Sequence, residues 1–336
     1  MRTRLDKMLS RDRKVLPRSS LNLFLALRMK VATNLEEFLK FAQRVPATVF
    51  VDTENMELPD DAGIPANPAN SHANKQVLLD ADSTEILNKM LPLDVLAPVA
   101  ESKTLSDDLR RQVALAAWVR SIMLEDAKVS GEMVPILESL EPALKNTLET
   151  YRSEKSAGSG KFAAVFLMLK FPGTRPIVDS GVRRETPINE MNQYRDNWWC
   201  IPGDGAKTDP VEAVQVPAPL SKPLHALYPT GDLTPPLFLD ADQKRGGQEE
   251  WKKLQHSGVA PNYLARQVLA WGREHPDDPR VAEALYLVVR STRYGCTDKE
   301  TGGLSKAAFQ FLHAQYPKSE WAMKTKYWYG AGSSAH

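Results

Sequence analysis

A tract near the end of this chain occurs twice and restricts the fold more than any other feature. His275-Pro276-Asp277-Asp278 is followed by Tyr286, ten residues past its proline, and Tyr316-Pro317-Lys318-Ser319 by Tyr327, ten past its own. The prolines lie 41 residues apart, a spacing within the range of stacked helical hairpins. Each proline disfavours helix in the residue before it, so a helix ends there. Asp278 and Ser319 are then placed to cap the next helix through a side-chain oxygen. In that helix Val281 or Ala322 is the small residue set against a neighbour, and Tyr286 or Tyr327 fills the groove. Such hairpins bury their apolar faces by stacking and offer extended surfaces to partners.

Helical periodicity governs most of the remaining chain. Residues 21–31 and 34–44 read as helices, the second capped by Thr33 or Asn34 with Glu36 and Glu37 in its first turn, where the helix dipole favours acids. Val49 to Val51 suggests one short strand, and 57–75, with Pro59, Pro65 and Pro68, an irregular linker. Ser106 caps a helix whose stripe is Leu109, Val113, Ala116, Ala117 and Met123. A loop at Lys128 to Gly131 leads into a second helix carrying Val134, Leu137, Leu140, Leu144 and Leu148, and the short connection implies an antiparallel hairpin. Phe162 to Leu169, apolar nearly all round, is expected at the centre of the core. Five further helices are expected at about 248–256, 261–274, 279–292, 304–315 and 319–329.

Residues 172–246 differ in kind, holding eleven of the chain's 24 prolines. A loop of that length inside a compact protein is uncommon. Its centre, Tyr194-Arg195-Asp196-Asn197-Trp198-Trp199-Cys200, is too aromatic for disorder and is expected to lie pinned on a helical surface.

The residues Tyr316-Pro317-Lys318-Ser319, Ala322, Tyr327-Trp328 and Gly330 resemble the tetratricopeptide repeat, in the variant common among bacterial envelope proteins such as cell-division coordinators and outer-membrane assembly lipoproteins. The likeness covers 260–330, about a quarter of the chain. The insertion Arg293 to Gly303 lengthens the unit beyond the repeat's usual length of about 34 residues. The resemblance implies an α-solenoid that grips a peptide or partner protein on its concave face. The whole chain is also similar to uncharacterised bacterial proteins that end in such an array.

The expected architecture is therefore all-α. Residues 1–79 form N-terminal helices and a linker, and 80–171 and 248–330 form two helical lobes of antiparallel hairpins, the second α-solenoid or tetratricopeptide-like. The proline-rich segment 172–247 joins and packs on them, and 331–336 is a disordered tail.

Charge and composition exclude several functions. Lys plus Arg (43) nearly cancels Asp plus Glu (42), and the two signs are interleaved, so nucleic acid is not the expected partner. The first 30 residues are basic, but the apolar run Leu21 to Leu27 carries Asn22 and meets Arg28, which fits an amphipathic helix better than an export signal. No stretch approaches the roughly 20 apolar residues of a membrane span. The envelope-type repeat leans the chain toward the periplasm although it carries no export signal, with the cytoplasm as the alternative. The abrupt basic start is what the C-terminal part of a longer protein would show.

Candidate sites follow from residue type. Trp198 and Trp199 with Tyr194, Arg195 and Asp196 supply the rigid aromatic and guanidinium groups common at interface hot spots. The competing reading, which is preferred, makes one Trp an anchor in a groove. Tyr286 and Arg290, with Lys324, are expected on the concave face. Cys200 and Cys296 are read first as buried free thiols and alternatively as a disulfide.

No catalytic or metal site is expected, and no cofactor. Histidines never sit at metal-ligand spacing on one helix face, and no Gly-x-Ser-x-Gly elbow occurs. Gly295 to Gly303 lacks the alternating acids of a calcium loop and reads as a capped turn. Gly158-Ser159-Gly160-Lys161 lacks the first glycine of a phosphate loop and reads as a flexible turn between helices. These residues point to a non-catalytic interaction or scaffolding module. Two alternatives are a hydrolase-like or carbohydrate-active enzyme with its site under 172–246, and a structural piece of a larger envelope protein.

Overall fold

The computed structural model describes residues 2–12, 18–44, 48–50, 57–59, 78–79, 81–179, 198–201, 234–292 and 296–328. Tyr194, Arg195 and Asp196, the tail 331–336, and most of the linker and of the proline-rich segment lie outside them. The fold is all-α, with fourteen α-helices among the described residues. Two compact units divide it. Among the described residues the first comprises those up to Val113, with 178–179 and 234–251. The second comprises 114–177, 198–201, 252–292 and 296–328. These units cut the chain differently from the expected lobes 80–171 and 248–330.

The first unit opens with α1 (Arg2–Asp12), α2 (Arg18–Lys30) and α3 (Leu35–Ala42). Leu9, Leu21 and Leu25 form a small core with Phe24 and Phe41 against it. Arg28 is buried there at 3% exposure, a position that requires paired charge. Its guanidinium donates to Asp6 at 2.6 Å and to Glu37, and lies 4.5 Å from the Phe41 ring centroid. Asn34 caps α3, accepting the Glu37 N–H at 2.8 Å, while the Glu37 carboxylate takes the Thr33 N–H at 2.9 Å. Burial would raise the Glu37 pKa, but the Thr33 N–H and Arg28 hold it down at about 2.

Short strands follow. β1 (Gln43–Arg44) pairs antiparallel with β4 (Leu78–Leu79), and β2 (Thr48–Phe50) with β3 (Glu57–Pro59). The expected lone strand thus has a partner in what reads as irregular linker. The proline sits at the end of β3, where a strand tolerates it.

After β4 come α4 (Ala81–Lys89) and α5 (Leu93–Leu96). A later helix, α10 (Ala241–Ser257), is seated on the turn between them. Glu250 accepts the Leu93 N–H at 2.8 Å, and a Cβ on Gly247 would lie 2.3 Å from the Met90 carbonyl oxygen. Only glycine permits that approach.

The division between units falls within α6 (Asp107–Leu124) and α10. The rest of the second unit comprises α7 (Ala127–Leu140), α8 (Lys145–Ser153), α9 (Ala157–Lys170), α11 (Ala260–Glu274), α12 (Val281–Ser291), α13 (Thr301–Gln315) and α14 (Glu320–Lys324). As its composition predicts, α9 is central, with Phe162 to Val165 and Leu167 to Leu169 all buried.

Three local expectations are corrected here. The connection before α7 is Glu125-Asp126, not Lys128 to Gly131, because Asp126 accepts the Val129 N–H at 3.0 Å and starts the helix. Leu144 and Leu148 belong to later elements, since Pro142 follows the end of α7 and opens a 3-10 turn. Gly158 to Lys161 forms the first turn of α9, fixed by a reciprocal Ser156–Ser159 capping box, rather than a flexible turn.

Candidate functional site

The duplicated tract builds two turns that the structure treats differently. In the first, α11 ends at Glu274, before Pro276. Asp278 is not the cap residue of α12, which is Arg280, but it accepts the Arg280 backbone N–H at 3.0 Å and so governs the entry into the helix. The same carboxylate takes the Arg280 guanidinium at 2.8 Å and the Trp271 indole N–H at 3.0 Å. Burial would raise its pKa, yet Arg280 and Trp271 outweigh that and hold it below the usual range.

Arg280 also reaches Glu154 at 2.6 Å and lies 5.0 Å from the Phe162 ring centroid. Trp271 stacks between Phe162 and His275, at 5.2 and 3.6 Å between centroids. A Cβ on Gly272 would come within 2.9 Å of Val281 and 3.0 Å of Phe311, so the missing side chain lets three helices meet. His275 to Asp277 at this turn are exposed, but Trp271, Asp278 and Arg280 beside them are tied into the neighbouring elements.

In the second copy Ser319 does cap its helix, accepting the Ala322 N–H at 3.1 Å. Ala322 is buried against the neighbouring helices as expected. However, α14 stops at Lys324, its end tied down by Thr325, whose carbonyl is hydrogen-bonded to His313 Nε2 at 2.8 Å. Tyr327 therefore lies outside the helix and fills no groove. It is 67% exposed, and Met323 is 60% exposed.

On the same helices and just after them, aromatic rings carry cations over them. Trp321 packs on Tyr286 at 5.2 Å, with Lys324 4.1 Å from its own centroid. One helical turn after Tyr286, Arg290 donates to the Tyr286 hydroxyl at 2.8 Å. Trp328 donates to Ser305 at 3.2 Å beneath Lys306, which lies 5.8 Å from its ring. Of this face, Tyr286, Arg290 and Lys324 are legible beforehand. Trp321, Met323, Lys306 and Trp328 are not, although the run Trp321 to Trp328 carries three aromatics, two lysines and no acid.

Trp198 and Trp199 are placed elsewhere in the second unit. They are 4% and 2% exposed, and Ile201 is 1% exposed. The Trp199 carbonyl accepts the Ala260 N–H at 3.2 Å, and its ring lies 6.4 Å from that of Tyr263. Their burial gives these rings a packing role and leaves no ring surface open to a partner. Cys200 and Cys296 form a disulfide, with Cα atoms 5.6 Å apart. Cys200 is exposed and Cys296 half-buried, so the reading as buried free thiols gives way. The two loop segments approach within bonding reach. The turn after Cys296 is capped as predicted: Asp298 accepts the Glu300 N–H at 2.8 Å and the Asn262 amide at 2.6 Å.

A cleft of about 810 Å³ opens between the starts of α7 and α9, lined by Glu125, Asp126, Tyr151, Arg152, Lys155 and Lys161 among others. Glu125 stands in the left-handed region (φ 62°) at the end of α6, the place where glycine is common. Lys161 holds its carboxylate at 2.8 Å and keeps its pKa below the usual value. Asp126 is occupied by its cap, and Glu154, which also lines the cleft, by Arg280. A general acid needs the opposite shift. The Glu125 shift runs the other way, and Trp198 does not line the cleft. Burial, with the charge of Glu125 adding to it, raises the Tyr263 pKa.

Among the described residues no group of three or more His, Cys, Asp or Glu could hold a metal ion, and no helix is long and apolar enough to cross a membrane. No protein-family model, curated protein or solved structure matches the chain.

Proposed function

We propose that this chain is a non-catalytic protein-interaction module. In this reading α11 to α14 are two tetratricopeptide-like hairpins, and the aromatic and cationic face of α12, α13 and α14 is where a partner protein docks. The exposure of Met323 on α14, the helix whose Trp321 packs on Tyr286 with Lys324 over its ring, carries the reading. Large apolar side chains left in water beside half-buried aromatics are what interfaces are made from. The paired carboxylates of the cleft favour this over the hydrolase alternative.

The test is affinity capture from the source organism's lysate on the wild-type chain and on a Met323→Ala/Tyr327→Ala variant. Both positions are exposed, so the variant should keep its helical circular dichroism. A protein held by the wild type and lost by the variant is the expected result. Identical sets of bound proteins on the two baits would sink the proposal.

A further inference from the structure

We infer that the Cys200–Cys296 disulfide is a reversible thiol-exchange site, a clasp that a small external thiol opens by entering at Cys200 while the fold stays in place. The two cysteines are the only ones in the chain, so exchange within it can form no other bond. Cys200 is exposed although Trp198, Trp199 and Ile201 around it are buried, and Cys296 is half-buried. An exposed disulfide is open to an attacking thiolate, and bonds of that kind are the labile and regulatory ones.

Both halves of the clasp are held on the start of α11 by contacts that do not involve sulfur. The Ala260 N–H donates to the Trp199 carbonyl at 3.2 Å. The Asn262 amide donates at 2.6 Å to the carboxylate of Asp298, two residues past Cys296. One helical turn on, Arg266 reaches Glu300 at 2.9 Å. With the bond cut these contacts remain, and thiols whose Cα atoms lie 5.6 Å apart stay within bonding reach.

The exchange balances as follows. The external thiolate attacks Cys200 Sγ and forms a mixed disulfide there, while the electron pair of the broken bond leaves on Cys296, which takes up a proton. Cys296, again as thiolate, can attack Cys200 Sγ and expel the external thiolate, which restores the clasp. A second external thiolate can instead attack the external sulfur, leaving two protein thiols and one external disulfide, a two-electron reduction of the chain. Opening the bond leaves the segment 198–201 to its buried side chains and the Ala260 hydrogen bond, so the redox state sets how firmly that segment is held.

The experiment treats the full chain with dithiothreitol in buffer without denaturant. Intact mass then counts the cysteines that iodoacetamide alkylates, with far-UV circular dichroism recorded alongside. Expected are two alkylated cysteines, an unchanged helical signal, and return of the bond when the unalkylated reduced chain is exchanged into oxidised glutathione. Cys296→Ser and Cys200→Ser are next compared for the rate at which oxidised glutathione adds one glutathionyl group. Cys296→Ser, which keeps Cys200, should be modified roughly tenfold faster or more. A bond that resists dithiothreitol until urea unfolds the chain would overturn the proposal, making it an inert staple. Loss of the helical signal on reduction would overturn it as well, since the bond would then be holding the fold. Equal rates for the two variants would overturn entry at Cys200. The wild-type arm decides reversibility whether or not either variant folds.

Discussion

The first copy of the duplicated tract is tied into neighbouring helices through Asp278 and Arg280, while the second ends after little more than one helical turn. At the first, Asp278 gathers Trp271 and Arg280, Arg280 reaches Glu154, and Trp271 stacks on Phe162. At the second, the Ser319 cap is in place but α14 runs only from Glu320 to Lys324. The local rules are obeyed twice, with a helix ending before proline, a polar side chain at the next helix entry and a small residue against the neighbour. What differs is the next layer. Phe162 comes from α9 and Glu154 from the C-cap of α8, and α13 lies over α12. Among the described residues no such layer covers Met323, which is 60% exposed, and Tyr327 is 67% exposed. A hairpin turn is specified locally, whereas burial of its large residues depends on what is stacked beyond it.

The largest test of this contrast concerns the tether of the connection that leaves the first copy. The Cys200–Cys296 disulfide spans 96 residues of sequence, and a loop of that length removes about 4 to 5 kcal/mol of unfolded-state entropy in the chain-entropy account. Urea unfolding of the chain with and without reductant should show a clear loss of stability, read at Trp fluorescence. An unchanged midpoint would mean that Trp198, Trp199 and Ile201 hold this segment without the bond.

A middle-sized effect separates the two interiors. Leu285 in α12 is fully buried, and Leu285→Ala should cost about 3 kcal/mol. Met323→Ala, at an exposed site, should cost under about 0.5 kcal/mol. Equal costs in urea titration would show that something covers the second copy after all.

The smallest effect is one of pH. Asp278 has a depressed folded-state pKa, so its stabilisation is present above the unfolded carboxyl value of about 4 and is lost as pH falls through the folded value. Asp278→Asn should cost about 1 to 2 kcal/mol at neutral pH, with the gap to wild type closing below about pH 4. Ser319→Ala should cost about 1 kcal/mol at either pH, because its hydroxyl does not titrate. A pH-independent gap for Asp278→Asn would remove charge from the account of the first turn.

Much of the helical plan was legible because periodicity and caps are local. Asn34 with Glu37, Ser106 and Ser319 act where their spacing places them. Other features are long-range. Nothing about Glu125 in sequence marks it for a left-handed conformation, and Leu78 and Leu79 do not announce Gln43 and Arg44 as partners. Trp198 and Trp199 read as anchor in preference to hot spot, but the same large apolar surface serves both purposes. Only burial distinguishes them.

By itself, then, the sequence determined an all-α chain, the positions of most helix ends, and the two proline turns, with Ser319 as the cap after the second. Those depend on backbone sterics and hydrogen bonds within a few residues. Tertiary structure decided that Cys200 meets Cys296, that the tryptophan pair is interior, and that the second copy leaves Met323 and Tyr327 exposed. These depend on which surfaces meet across long separations, and identical local patterns acquire different neighbours there.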